Sequence, residues 1–95
     1  MAPLSDQQLT EGLAALPGWR RAEGQPAIER ELSLQDFAAA IAFVQRVAEL
    51  AEAANHHPDI LIHGYNKLRL TLSTHSQGGV TDSDLELARQ IDGLL

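Results

Sequence analysis

From Lys67 to Thr74 the chain alternates strictly, with Leu68, Leu70 and Leu72 on one side and Lys67, Arg69, Thr71 and Ser73 on the other. A period of two sends successive side chains to opposite faces of an extended strand, so this segment buries one face and wets the other. One strand cannot do that alone; it needs neighbours to pair with and an apolar layer over its leucines. Ile60 to Tyr65 precedes it at hairpin distance. Ala27 to Leu34 supplies another strand, setting Ile28, Leu32 and Leu34 against Glu29, Glu31 and Ser33, with Arg30 breaking the apolar side once. Trp19 to Glu23 reads as a fourth, reached across Gly24, Gln25 and Pro26.

The covering layer is equally legible. Ser5, with Gln8 as its capping-box partner, opens a first helix bearing Leu9, Leu13 and Leu16, and Pro17-Gly18 ends it. Ser33 or Asp36 opens the longest helix, whose apolar stripe is Phe37, Ala40, Ile41, Val44, Val47, Ala48 and Ala51. Pro58 disfavours helix in the residue before it, so this helix should stop near Asn55. Gln77 to Val80 is a loop, and Thr81 with Asp84 starts a final helix carrying Leu85, Ala88, Ile91 and Leu95. Strand pairs joined by short loops are antiparallel. The expectation is one α+β domain over residues 1–95, ordered α-β-β-α-β-β-α, with a four-stranded antiparallel sheet and three helices on one face.

Composition narrows the function. The net charge is −6 and the seven Lys and Arg form no run, which argues against direct nucleic-acid binding. Without cysteine there is neither a disulfide framework nor a thiolate metal site. The start lacks the basic and apolar regions of a signal peptide, and no apolar run reaches membrane-spanning length. A cytoplasmic domain with no membrane partner is expected.

Chemistry concentrates in one short span. Glu52 is followed by Asn55-His56-His57-Pro58, and His75 lies eighteen residues beyond His57. A cation at a helix C-terminus gains roughly 0.3–1 kcal/mol, which accounts for one histidine. It does not account for two in a row with a carboxylate one turn upstream, on the helix face expected for His56. His75 ends the alternating strand on its polar side, and antiparallel folding can carry that end towards the long helix. His63 sits within a strand and reads as a surface residue. Glu52 is either an orienting carboxylate or part of a solvated helix face, Asp84 either a site carboxylate or a helix cap, and Trp19 either core or a stacking surface. The adjacent imidazoles diverge and no His-x-x-x-His spacing is present, so no metal ligand is expected.

Together these residues resemble the signature of the pterin-4a-carbinolamine dehydratases: Glu52, His56-His57-Pro58, Tyr65, His75 and Asp84. The similarity extends to Leu16-Pro17-Gly18-Trp19, to Phe43-Val44-Gln45-Arg46-Val47-Ala48 and to Tyr65 through His75. The resemblance implies a cofactor-free lyase that removes water from 4a-hydroxytetrahydropterin to give quinonoid dihydropterin, recycling the cofactor of aromatic amino acid hydroxylases. By position it implies His56, His57 and His75 as active-site histidines, with Glu52 and Asp84 as supporting carboxylates. Asn55, Ser73, Thr74 and Ser76 would contact the pterin and Trp19 would line its pocket. It also implies a homodimer or homotetramer built by joining sheet edges and packing helices. Members that act as transcriptional dimerisation cofactors or in Rubisco assembly give a non-catalytic alternative. Ile60 stands where many members carry an aromatic residue. The His57-to-Tyr65 gap is one residue longer than in the animal enzymes, which implies a bulge or a longer turn near His63 and Gly64.

Overall fold

The computed structural model describes residues 2–95. Helix α1 (Asp6–Ala14) is followed by β1 (Arg20–Arg21), β2 (Ile28–Ser33), helix α2 (Phe37–Ala54), β3 (Asp59–His63), β4 (Lys67–Leu72), a 3-10 turn (His75–Gln77) and helix α3 (Asp82–Asp92). The four strands form one antiparallel sheet in the order β1-β2-β4-β3, so the strictly alternating strand is central and β1 and β3 are its edges. The expected α+β order is the observed one.

Register explains which face is covered. Ile28 pairs with Leu72 and Leu32 with Leu68, so the apolar alternations of β2 and β4 coincide on one face. Ile28, Leu68, Leu70 and Leu72 are fully buried against Phe43 and Val47 of α2, Leu87, Ala88 and Ile91 of α3, and Trp19. Burying a side chain of that size contributes about 1.5–3 kcal/mol, and this layer therefore holds the helices on the sheet. The opposite face carries Glu29, Glu31 and Arg69, with ion pairs Arg20–Glu29 and Arg69–Glu31.

Several expected boundaries move. The strand expected over Trp19 to Glu23 contracts to two residues, because Trp19 turns inward and donates its indole N–H to Asp92 at 2.9 Å. Asp36, not Ser33, caps α2, accepting from the Ala39 N–H at 2.8 Å. The expected stripe of α2 mixed two faces: Ala40, Val47 and Ala51 are buried, together with Phe43 from outside that stripe, whereas Phe37, Ile41 and Ala48 are exposed. In α3 the buried stripe is Asp84, Leu87, Ala88 and Ile91, with Leu95 exposed. The β3–β4 hairpin resolves the extra residue as a three-residue turn, Gly64 to Asn66, with Gly64 and Tyr65 at φ 55° and 58°, and not as a bulge.

Candidate active site

The C-terminus of α2 aims the histidine pair. Asn55 adopts a left-handed conformation, φ 49° and ψ 43°, after which the chain reverses. The His56 N–H donates to the Ala51 carbonyl at 3.0 Å and the Asn55 N–H to the Glu52 carbonyl at 3.2 Å. Those two bonds make a Schellman motif, which satisfies carbonyls the helix would otherwise leave open. Asparagine is among the few side chains that accept the left-handed region readily. With Pro58 two residues on, the helix cannot resume, and the pair is held in a short extended segment.

This reversal redirects the carboxylate pairing. Glu52 was expected to serve His56, one helical turn away. Instead His57 Nε2 contacts Glu52 Oε2, because the chain folds back over the last helical turn. His56 points the other way, its Nε2 against Asp84 Oδ1 of α3. The two pairs differ in environment. Asp84 is 0% exposed and the His56 side chain 16%, whereas Glu52 and His57 are 77% and 56% exposed. The second pair is thus screened by water and the first is not.

Asp84 serves two purposes. It is the third residue of α3, and its Oδ2 accepts the Thr81 N–H at 2.9 Å in a capping box. The same oxygen accepts the Thr74 hydroxyl at 2.8 Å, leaving Oδ1 for His56. A buried carboxylate is costly unless paired and hydrogen-bonded, and here three donors and a helix N-terminus meet it. Asp84 thus caps α3 with one carboxylate oxygen and meets His56 with the other.

Thr74 draws the end of β4 to the same place. It forms a bridge with Gly79, donating its N–H to the Gly79 carbonyl at 2.9 Å. His75 does not end the strand, as expected, but opens the 3-10 turn that Gly78 closes at φ 77°. His75 and Ser76 are exposed in that turn, directly after the threonine that holds Asp84. The Ser73 hydroxyl is engaged elsewhere, donating to the Pro26 carbonyl at 2.8 Å.

Trp19 is the expected site residue that the fold withdraws. It is 3% exposed, so neither face of its ring is open for stacking. Its partner Asp92 lies eight residues along α3 from Asp84, about 12 Å at the helical rise. His63 is exposed on edge strand β3, on the sheet face away from the helices. Thr81, expected only as a helix start, is fully buried beside Thr74 and Asp84, its hydroxyl 2.8 Å from that of Thr74. The spacing Asp84, Leu87, Ala88 and Ile91 sets a carboxylate on the buried stripe of that helix.

A hollow of about 270 Å³ adjoins His56, lined by Ala54, Asp82, Ser83, Glu86, Leu87 and Gln90. A larger one of about 520 Å³ on the open sheet face holds ion-paired arginines and no histidine. Acid and base chemistry points to the smaller hollow. Among the described residues no group of three or more His, Asp and Glu side chains is arranged to hold a metal ion. No helix among them is long and apolar enough to cross a membrane.

Comparison with known proteins bears on the fold and the family. Relatives in Acidobacterium capsulatum and Chloroflexus aggregans, each named "Putative pterin-4-alpha-carbinolamine dehydratase", are 50% and 52% identical over 95 residues, covering all of this chain and 100% and 99% of theirs. A crystal structure from Brucella melitensis, described as a transcriptional coactivator/pterin dehydratase, superposes with a TM-score of 0.91 at 37% identity over 97% of each chain. A pterin dehydratase-like protein described as a RuBisCO assembly factor of the alpha-carboxysome shares the fold, with a TM-score of 0.67 at 23% identity over 81% of this chain and 88% of its own. The model of the pterin 4 alpha carbinolamine dehydratase family matches residues 2–94, and the chain belongs to that family.

Proposed function

We propose that this protein dehydrates a pterin 4a-carbinolamine to quinonoid dihydropterin by histidine acid and base catalysis, within tetrahydropterin recycling alongside an aromatic amino acid hydroxylase. The observation that carries the reading is the pair of adjacent imidazoles, each held by its own carboxylate, one pair buried and one wet.

In the reaction the C4a–O bond breaks and its electrons leave with oxygen, which takes a proton to become water. The adjacent ring N–H loses its proton as the nitrogen lone pair forms the new C=N bond. No electrons are gained or lost overall, so the step calls for one acid and one base and no redox partner. Imidazole serves either role near neutral pH, and each positioned group is typically worth about 10²–10⁴-fold. His56, His57 and His75 supply these groups, Asp84 and Glu52 hold two of them, and Asn55 and Ser76 border the bound ring. Thr74 acts through Asp84, since its hydroxyl is already committed there.

The protein acts as a homo-oligomer in the cytoplasm. Edge strand β3 leaves Ile60 and Leu61 40% and 48% exposed, and α2 leaves Phe37 53% exposed, so a second copy has apolar surface to cover. Stopped-flow absorbance of a chemically generated 4a-carbinolamine tests the activity. Decay faster than in buffer, in proportion to protein, is expected; a decay rate that protein leaves unchanged would refute it.

A further inference from the structure

A chain of hydroxyls behind Asp84 has one consistent direction. A carboxylate offers no hydrogen, so His56 Nε2, which faces Asp84 Oδ1, carries the proton, and Nδ1 is the open nitrogen. The single hydrogen of the Thr74 hydroxyl goes to Asp84 Oδ2 at 2.8 Å. The Thr81 hydroxyl, 2.8 Å from that of Thr74, must then be the donor between the two. Thr81 Oγ1 in turn accepts the Ser83 N–H at 3.3 Å, and the Thr81 N–H reaches Asp84 Oδ2 at 2.9 Å. Thr81 and Asp84 are both 0% exposed and Thr74 is half-buried, so these bonds are shielded from most of the solvent.

We propose that Thr81 is a positioning residue for the dehydration: its N–H holds Asp84 Oδ2 and its hydroxyl orders the Thr74 hydroxyl on that same oxygen, so that His56 is held as the Nε2–H tautomer and exchanges its catalytic proton at Nδ1. Two bonds to Oδ2 stop the carboxylate from rotating, which leaves Oδ1 as the sole face offered to His56. A helix cap at α3 thereby sets which nitrogen of the histidine just beyond α2 is free to react. The catalytic part of this inference rests on the proposed dehydration, whereas the tautomer part does not.

The test is a comparison of Thr81→Val with Thr81→Ser, read by the ring ¹⁵N shifts of His56 in labelled full-length protein and by steady-state kinetics. Wild type should show a single Nε2–H tautomer in the neutral ring. Thr81→Val should populate both tautomers and lower kcat at least about tenfold with little change in KM, as expected when a reacting group is misplaced and binding is kept. Thr81→Ser should restore both readings. If Thr81→Val fails to fold, Thr74→Val cuts the same chain while the cap bond to Ser83 stays, and the ring shifts decide in the same way. A single Nε2–H tautomer retained in the folded valine variant would overturn the proposal. Wild type without dehydratase activity would remove the proposed function, and the tautomer result would still stand or fall alone.

Discussion

Asn55 governs where the histidines point, through its backbone and not through a side-chain contact. Its φ of 49° ends α2 and turns His56 towards α3 and His57 back over Glu52. Asn55→Gly, free of the Cβ conflict, should unfold in urea close to wild type, whereas Asn55→Val should lose about 1–2 kcal/mol, since a β-branched side chain resists this region. Equal stability of the two variants would contradict that account. The histidines themselves should be unequal. His56→Ala, His57→Ala and His75→Ala are each expected to lower kcat/KM at least about tenfold, or about 1.4 kcal/mol of transition-state stabilisation. His63→Ala, on the exposed edge strand, should do much less, and a comparable loss there would place the site wrongly. The sequence made the histidine set and both carboxylates legible but paired them incorrectly. An i,i+4 relation presumes that the helix continues, and the left-handed Asn55 ends it one residue too early.

At the scale of elements, the sequence pattern located the three α-helices and four strands but not the 3-10 turn at His75, and the faces were harder to read. Helix α2 has two apolar stripes: Ala40, Phe43, Val47 and Ala51 face the sheet, and Phe37 and Ile41 do not. A hydrophobic pattern records that a residue is apolar without recording which neighbour covers it. Strand β1 shrank for a related reason, as Trp19 found a place in the core and a hydrogen bond to Asp92, which no period-two pattern encodes. On the open face of the sheet, the hydrogen bond from Arg69, and secondarily its charge, holds the Glu31 carboxyl below its ordinary value of 4.5, with desolvation opposing in part. A lowered folded-state value means the pair's contribution is fully present above about pH 4.5 and is lost as pH falls through the folded-state value. Glu31→Gln should therefore differ most from wild type in Tm near neutral pH, by a small amount because the pair is exposed, and the gap should close in acid. A gap that widened in acid would contradict the assignment.

The whole molecule presents a covered sheet face, a charged face and two edges, one of them apolar. A second copy of the chain, as proposed above, would cover β3 and the outer stripe of α2 with matching surface by symmetry. Sedimentation equilibrium should accordingly give two or four times the chain mass of 10.3 kDa, and a concentration-independent monomer would refute this. The central claim is that the carboxylate-held histidines at the meeting of α2, α3 and the end of β4 dehydrate a pterin carbinolamine. Its most direct measurement is the decay of that carbinolamine in the presence of wild type and of a folded His56→Ala/His57→Ala variant, followed in the same stopped-flow assay. Acceleration by wild type, lost in the double variant, is the expected result. Decay with wild type equal to that with the double variant would contradict the account, and if both match buffer alone it leaves a non-catalytic interaction protein of this fold.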